Sequence, residues 1–189
     1  MAHSMSSSAY RPPIRQPSER RPRPALGGLK ETFMSVPRSL SRGATSVVSA
    51  PSIISSLLTV QTRGTGFIDL TAETVKFVNE ARAGEGAVTL FVRHTSASLT
   101  IQENADPSVL ADLTTALSRL APDNAGWTHD TEGPDDMPAH VKTMLTSTSL
   151  QIPVLNNKLA LGTWQAIYLI EHRSSPHRRE VVLQFIGAI

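Results

Sequence analysis

Apolar residues recur along this chain at two different spacings, one typical of strands and one typical of helices. The places where the spacing changes are the predicted boundaries between strands and helices. Short runs rich in β-branched residues and bounded by glycine or asparagine are typical of strands, whereas apolar residues three and four positions apart are typical of helices. Both patterns are clear only beyond about residue 52. The predicted strands are 57–62, 87–92, 99–102, 149–154, 158–161, 164–170 and 179–186.

The first predicted helix begins after Thr71, which we expect to be its N-cap residue. Leu70 and Val75 stand in the positions of a hydrophobic staple, which fixes the entry of the chain into a helix. Val78 and Ala81 continue the apolar face at helical spacing.

Two further helices are predicted downstream. Asp106 and Pro107 form a strong helix start, because the aspartate accepts a hydrogen bond at the N-cap and proline suits the first turn. The apolar stripe of this helix is expected to be buried: Val109, Leu110, Leu113, Ala116, Leu117 and Leu120. The last helix is expected to begin near Pro138 and to turn three residues inward: Val141, Met144 and Leu145.

Together these elements predict an α+β fold. The domain is expected to be single and compact, residues 52–189, with a mostly antiparallel sheet and about three helices. Asn156-Asn157 is a turn-forming pair between two predicted strands. Successive strands with short turns near the C-terminus favour antiparallel pairing.

Residues 1–51 form a basic arm rich in serine, arginine and proline, which we predict to be disordered because it lacks a sustained apolar period. The arm superficially resembles an organellar transit peptide. A disordered extension, or a start codon assigned upstream of a true start at Met34, is the simpler explanation. Residues 1–45 hold eight of the 18 basic residues and two of the 16 acids, which leaves an excess of acids in the rest of the chain.

Bulk composition excludes several classes of function. Cysteine is absent, which rules out disulfides and thiolate chemistry and suits a cytoplasmic location. No apolar run approaches the roughly 20 residues that span a bilayer, so no membrane segment is expected. Nucleic-acid binding has little support, because the folded part is acidic and the basic arm offers only Tyr10 and Phe33 as aromatics.

The most polar connection, residues 129–140, leads into the last helix. It contains two histidines and four acids: His129, Asp130, Glu132, Asp135, Asp136 and His140. Carboxylates this close favour a divalent cation, although one of the two adjacent aspartates is expected to cap the helix instead. His140 falls in the first helical turn, where the helix dipole disfavours the imidazolium form and leaves a neutral ring suited to metal binding or proton transfer.

Other polar residues stand where predicted strands end. His94 follows one buried strand and Glu171-His172-Arg173 ends another. Taken singly, His94 and His172 are better explained by a hydrogen bond to a backbone carbonyl than by a function. Arg178 and Arg179 would suit a phosphate, yet by spacing alone a solvated turn explains them better. Three more residues could hold a substrate or merely satisfy the backbone: Ser96, Ser98 and Asn104.

Four separated motifs resemble those of the YjbQ family and follow one another in its order. They are His94–Thr100 with Glu103-Asn104, the connection 129–140, Leu161–Gln165 and Glu171–Arg173. The resemblance covers roughly residues 56–187, and the basic arm has no counterpart in the usual family pattern.

The resemblance implies a compact α+β domain that forms a homotrimer with polar pockets near the subunit interfaces, and a weak, secondary thiamine-phosphate synthase activity. Carried over to this sequence, the catalytic residues would be His94, His129, His140 and Glu171. The substrate-binding residues would be Ser96, Asn104, Gln165 and Arg173. A divalent metal ion, Zn or Mg, would be bound by His94, His129, His140 and Asp136.

We therefore expect a metal-assisted enzyme that acts on a phosphorylated small heterocycle. The alternative is a non-catalytic homotrimer that binds a metal or a phosphate ligand. Loss of diphosphate from a pyrimidine needs a cation and arginines on the leaving group, and little from a protein nucleophile. An acidic cluster with neutral histidines and nearby arginines would meet these needs, as it would those of other reactions on phosphorylated molecules.

Overall fold

The computed structural model describes residues 52–189, and the predicted basic arm, residues 1–51, lies outside the described part. The strands are β1 (Ser52–Gln61), β2 (Gly66–Asp69), β3 (Glu85–Val92), β4 (Ala97–Glu103), β5 (Ser149–Leu155), β6 (Lys158–Leu159), β7 (Gln165–Glu171) and β8 (Arg178–Ala188). The helices are α1 (Thr71–Glu80), α2 (Pro107–Leu120) and α3 (Asp136–Leu145). No helix among these residues is long and apolar enough to cross a membrane.

The strands are divided between two sheets. The first has the order β1-β8-β3-β5-β6 and the second has the order β2-β7-β4. Every pair of neighbours is antiparallel, so the predicted α+β fold with mostly antiparallel pairing is confirmed. Asn156 and Asn157 form the expected turn, with positive φ angles of 50° and 64°. The pattern does not predict β2, because four residues starting at Gly66 are too few to show a period.

The core lies between the two sheets and α1. One face of β3 and of β8 is buried: Val88, Leu90, Val92, Val181, Leu183 and Phe185. These side chains form one cluster with Phe77 and Val78 of α1 and with Leu99, Ile167 and Leu169 of the second sheet. Burial of such a side chain contributes about 1.5–3 kcal/mol. The core therefore fixes the two sheets against each other.

The start of α1 differs from the prediction. Thr71 is the first helical residue and not the N-cap. Its N–H donates to Asp69 Oδ1 (2.7 Å), and its hydroxyl accepts a hydrogen bond from Ile167 N–H in β7 (2.9 Å). The hydroxyl therefore joins the helix to the second sheet. Val75 is 41% exposed, so the predicted staple is wrong, whereas Val78 is buried.

The apolar stripe of α2 is not buried by the rest of residues 52–189. The helix starts as predicted, with Asp106 Oδ1 accepting a hydrogen bond from Ser108 N–H (2.8 Å) and Pro107 in the first turn. However, none of its residues is buried, and Leu120 is 65% exposed. The predicted burial of this stripe is therefore wrong for one copy of the chain.

The inward face of α3 also differs from the prediction. The helix begins at Asp136 and buries Asp136, Pro138, Ala139 and Lys142. Met144 is 84% exposed, and the expectation that it faces inward is wrong, as it is for Leu145. The reason is that the polar start of the helix faces a buried arginine of the 172–177 turn, and this contact decides which side of the helix turns inward.

Three connections pass between the two sheets at the same end of the molecule. They are residues 62–65 between β1 and β2, 93–96 between β3 and β4, and 172–177 between β7 and β8. Glu171, the last residue of β7, pairs with both Gly66 and Ala97, which begin the neighbouring strands. We call these three connections, with Glu171 and Arg179 beside them, the sheet junction. Sheet hydrogen bonding stops there, so backbone groups need side-chain partners.

Candidate functional site at the sheet junction

A buried ion pair joins the two sheets at the junction. Glu171 of the second sheet is 0% exposed and Arg179 of the first is 3% exposed. Arg179 donates from Nε and from Nη2 to the two Glu171 oxygens, at 2.7 Å each. Nη2 also donates to the Ser96 hydroxyl at 3.1 Å. Two parallel bonds of this kind give both strength and a fixed orientation.

The remaining acceptor positions of Glu171 are also filled. Thr62 donates its hydroxyl to Oε2 and Arg173 donates its backbone N–H to Oε1, each at 2.9 Å. Burial raises the pKa of Glu171, but the hydrogen bonds from Arg179, Arg173 and Thr62 outweigh it, and the net pKa is lowered. Glu171 is therefore an ionised anchor with both oxygens engaged, a geometry that does not favour its predicted catalytic role.

Beside the junction, three side chains at the start of α3 and in the preceding connection converge. Single ligand atoms of His129, Asp136 and His140 lie within 4.8 Å of one another. His129 Nε2 is 2.9 Å from Asp136 Oδ2, and His140 Nε2 is 3.8 Å from Asp136 Oδ1. We call these residues the histidine–aspartate group. Two histidines and one carboxylate are a ligand set that divalent metals accept while other positions stay open.

Two observations test whether this group fits a cation. His140 Nδ1 lies 3.0 Å from the backbone oxygen of Thr95, which can only accept, so Nδ1 carries a proton and Nε2 is turned towards Asp136. Such an outer contact is the usual way in which a metal-binding histidine is oriented. In addition, Asp136 Oδ2 is buried without a hydrogen-bond partner among residues 52–189, despite its closeness to His129. The group fits a cation on both counts.

Arg173 connects the histidine–aspartate group to the junction. Its guanidinium donates to Asp136 Oδ1 and to the backbone oxygen of Glu132 (2.6 Å). Its Nε lies 3.4 Å from Asp135 Oδ1, and its side chain is 8% exposed. The guanidinium is thus enclosed by the connection 129–140, a geometry that does not favour its predicted contact with substrate. Its observed role is to hold Asp136.

Asp135 fixes the turn that carries Arg173. Its Oδ2 accepts hydrogen bonds from the backbone N–H and the hydroxyl of Ser174, at 2.7 and 2.8 Å. Burial raises the pKa of Asp135, but these two bonds and the charge of Arg173 more than compensate, and the net pKa is lowered. The acids of the connection 129–140 therefore have different roles, one facing the histidines and one closing the turn.

A family model described as UPF0047 protein YjbQ-like matches residues 56–188. The chain belongs to the YjbQ family. The UPF0047 protein sll1880 of Synechocystis sp. is 46% identical over 134 residues, which cover 70% of this chain and 91% of that protein. YjbQ of Escherichia coli O157:H7 is 40% identical over 131 residues, which cover 69% of this chain and 95% of that protein.

A solved structure of a family member agrees with the fold. The protein from Clostridium acetobutylicum is 38% identical, with a TM-score of 0.63, and the match covers 70% of this chain and 99% of that one. That protein is itself described as uncharacterized.

His94 and Ser96 lie at the junction but outside the histidine–aspartate group. His94 Nε2 accepts the backbone N–H of Glu180 at 2.9 Å, so that nitrogen is already engaged. Ser96 accepts a hydrogen bond from Arg179. The structure therefore brings His129, Asp136 and His140 together as expected, but it does not add His94 as a fourth ligand within one chain.

Asn104 and Gln165 lie at the other end of the second sheet. Gln165 is separated from Glu171 by the length of β7, about 20 Å at 3.3 Å per residue. Asn104 donates its backbone N–H to the Trp164 oxygen, and Gln165 Oε1 accepts the Gly162 N–H at 2.8 Å. One copy of the chain therefore does not bring these two predicted substrate-binding residues to the junction.

Arg179 is buried, so the solvated turn that spacing favoured for it is wrong, whereas His172 is structural as expected. Arg179 falls on the same face of β8 as Val181, Leu183 and Phe185, and this two-residue period is the signal that it points inward. His172 Nε2 lies 2.8 Å from the Ser98 hydroxyl, which also accepts a hydrogen bond from Thr146. Burial, with a smaller effect of the Lys142 charge, lowers the pKa of His172 to about 4. His172 is thus a neutral, buried structural residue.

Proposed function

We propose that this protein is a metal-assisted enzyme acting on a phosphorylated small heterocycle. The observation that carries the proposal is the histidine–aspartate group, in which two imidazoles and one carboxylate converge. His140 is oriented by the Thr95 carbonyl, and Asp136 is held by Arg173. Three ligands with open positions are typical of catalytic metal sites and not of structural ones, which are closed by four protein ligands.

His129, Asp136 and His140 would hold the ion, which we propose to be Zn or Mg. A bound divalent cation would neutralise charge on a phosphate or diphosphate leaving group. Asp136 supplies a carboxylate whose position is set by Arg173, and His140 supplies its Nε2. The histidine side chains are 49% and 32% exposed for His129 and His140, so a ligand can reach them from solvent.

The specific reaction that we propose is of the thiamine-phosphate synthase type. It joins a pyrimidine-methyl diphosphate to a thiazole phosphate and releases pyrophosphate. Such a reaction depends on stabilising the departing diphosphate and needs no protein nucleophile. This agrees with a site in which the buried acid, Glu171, has both oxygens engaged.

His140→Ala tests the enzyme proposal. We expect the wild-type protein to bind Zn²⁺ or Mg²⁺ in calorimetry and to form thiamine phosphate from the two precursors. The variant should lose most of both, since one ligand of three is removed. His177→Ala is the matched control, because the His177 side chain is partly exposed and its described hydrogen bond is to the nearby Ser175 oxygen. Its bonds to Thr62 involve the backbone, which the substitution keeps. Unchanged turnover in folded His140→Ala would contradict the proposal.

A non-catalytic role is the second candidate. One observation favours it: Glu171 and Arg173, two of the charged groups predicted to act on a substrate, are enclosed by other groups of the chain. In this case the same calorimetry would show saturable binding of a divalent ion or a phosphate compound, while the turnover assay gives no product. Absence of any binding would count against both candidates.

We also propose that the chain assembles with copies of itself, as a homotrimer. Two apolar surfaces support assembly: α2, which has no buried residue, and the outer face of the first sheet. On that face Phe91 and Leu57, both 48% exposed, flank Val182. In an assembly Asn104 and Gln165 of one copy would be free to approach the junction of another. Sedimentation or light scattering tests this, and a monomer at micromolar concentration would contradict it.

A further inference from the structure

A pocket opens at the sheet junction next to the histidine–aspartate group. It is lined by residues 91–96, Thr148 and Arg179 and has a cavity volume of about 590 Å³. Small-molecule sites typically measure roughly 300–1,000 Å³. We call it the Arg179 pocket. Its size admits a metabolite, and its polar groups indicate which chemical class that metabolite has.

Arg179 is a buried, oriented donor in the wall of this pocket. Its side chain is 4% exposed, and Nε and Nη2 are engaged by Glu171 and Ser96. Among residues 52–189 no group accepts a hydrogen bond from its third nitrogen, Nη1. An arginine fixed in this way keeps donors in a rigid plane, which suits the oxygens of a phosphate.

His94 adds a second donor to the same pocket. A backbone N–H can only donate, so the bond from Glu180 N–H to Nε2 places the proton of the neutral ring on Nδ1. In the described part of the chain, Nδ1 has no hydrogen-bond partner. Burial, followed by the charge of Arg179, lowers the pKa of His94. The ring is therefore neutral at neutral pH and presents one N–H donor to a ligand.

The charges around the pocket leave a positive surplus. Glu171 is matched by Arg179. Glu180 is matched twice, by Arg93 at 3.0 Å and by Arg178 at 2.7 Å. Three arginines thus stand against two glutamates, and both glutamates are already paired. A negatively charged ligand is favoured, because its charge meets no unpaired carboxylate there.

One residue links this pocket to the histidine–aspartate group. Thr95 lines the pocket, and its backbone oxygen accepts the hydrogen bond from His140 Nδ1 at 3.0 Å. An anion in the pocket and a cation at His140 would therefore lie on either side of a single residue, Thr95. Opposite charges placed so close stabilise each other.

We propose that the Arg179 pocket binds the phosphate or diphosphate group of a small molecule through Arg179 and His94. The inference deepens the proposed function and rests on it for the pairing of this group with a metal ion. Binding of the anion itself needs no metal, so the two proposals can fail separately. The notable point is that the phosphate-binding arginine is Arg179 and not Arg173, whose guanidinium is enclosed.

The first test uses the wild-type full-length chain with inorganic pyrophosphate and a chelator. We expect saturable binding in calorimetry and a shift of the His94 imidazole signals in NMR spectra. The backbone amide signal of Gly86, which lies at the opposite end of β3 from the pocket residues Phe91 and Val92, should not shift. Absence of binding, or binding that leaves the His94 signals unchanged, would overturn the inference. Equal binding of acetate would also overturn it, because the site would then not select a phosphate.

The second test compares Arg179→Lys with Arg119→Lys, a change on the exposed surface of α2. Lysine keeps the charge beside Glu171 but loses the planar fork, so pyrophosphate should bind about tenfold more weakly. Arg119→Lys should bind as the wild type does. Equal affinity of the two variants would contradict the inference. If Arg179→Lys does not fold, the wild-type NMR titration still decides.

A third measurement separates this inference from the proposed function. His140→Ala should lose metal binding but keep metal-free pyrophosphate binding. Metal binding without pyrophosphate binding in the wild type would remove the inference alone. Pyrophosphate binding without metal binding would remove the proposed function and leave an anion site.

Discussion

Two polar clusters lie within the same part of the fold, and they are built in opposite ways. The Glu171–Arg179 cluster is sealed around its carboxylate: the two side chains are 0% and 4% exposed, and each carboxylate oxygen has two partners. Only Arg179 Nη1 has no acceptor in the described part of the chain. The histidine–aspartate group is open. His129 and His140 are partly exposed, and the buried Asp136 Oδ2 has no hydrogen-bond partner in the described part of the chain.

The difference distinguishes polar groups that are bonded within the protein from polar groups that are free to bind a ligand. A buried charge is tolerated when its partners are complete, and removal of one partner is then costly. A buried polar atom without a hydrogen-bond partner in a native structure needs an explanation, and a bound ion is a common one. We therefore assign stability to the paired atoms of Glu171 and Arg179 and cation binding to the histidine–aspartate group. Of Arg179, only Nη1 is left for the proposed anion. Arg173 bonds to Glu171 through its backbone N–H and to Asp136 through its guanidinium, so it fixes the position of one cluster relative to the other.

The largest expected effect comes from breaking the sealed cluster. Glu171→Ala would leave Arg179 buried with an uncompensated charge, and the free energy of unfolding should fall by about 3–5 kcal/mol. Urea unfolding of wild type and variant at one protein concentration measures this. The change should also loosen the contact between the two sheets, because no other described ion pair joins Arg179 to the second sheet.

Glu180→Ala is the matched control for that experiment. Glu180 also pairs with arginines, but Arg93 and Arg178 are 54% and 57% exposed. Exposed pairs typically contribute less than about 1 kcal/mol. If the two glutamate variants were equally stable, the distinction between a sealed cluster and an ordinary surface pair would be wrong.

A smaller effect is expected from pH through His172. Its pKa is about 4 in the folded protein, against about 6.5 in an unfolded chain. As the pH falls below 6.5, His172 becomes protonated in the unfolded state, whereas in the folded state it stays neutral until about pH 4. Stability present above pH 6.5 is therefore lost between pH 6.5 and 4, by about 3 kcal/mol, with no further loss from this group below that range.

The measurement compares the unfolding free energy of wild type and His172→Gln across this pH range. Carboxylates titrate near the lower end in both proteins, so the difference between the two curves isolates the histidine. We expect the variant to be less stable at pH 7 but flatter with pH. His177→Gln should keep the wild-type slope. A variant curve parallel to the wild type would show that His172 is not the titrating group.

The elements of the fold are largely predictable from the sequence, because apolar period and turn residues act locally. Seven of the eight strands and the three helices fall in the expected places. The inward faces of the helices are less predictable. Met144 and Leu145 are exposed, since α3 is oriented by the contact of Asp136 with Arg173, which comes from a turn 37 positions further along the chain.

The candidate site is predictable in its parts but not in its pairings. The connection 129–140 and the residues Glu171 and Arg173 stand out by composition, and the structure does bring them together. The partner of Glu171 does not stand out, because Arg179 follows a turn and shows its inward position only through the period of β8. Arg173 is enclosed by the connection 129–140, whereas Arg179 keeps one nitrogen without an acceptor in the described part of the chain. This difference depends on how the two sheets meet, and sequence spacing does not carry that information.

The smallest expected effect on the stability of the metal-free protein comes from His129→Ala. This variant tests most directly whether the histidine–aspartate group, unlike the Glu171–Arg179 cluster, binds a cation. The His129 side chain is 49% exposed and its described ionic contact is with Asp136, so without metal the unfolding free energy should change by less than about 1 kcal/mol. With a saturating cation, the unfolding free energies of the wild type and His129→Ala should differ clearly. At a free Zn²⁺ concentration of about 100 times the dissociation constant, the wild type gains about 2.7 kcal/mol of stability, and the variant should gain far less. An equal gain in both proteins would place the cation elsewhere. The buried Asp136 Oδ2, which has no hydrogen-bond partner in the described part of the chain, would then need another explanation.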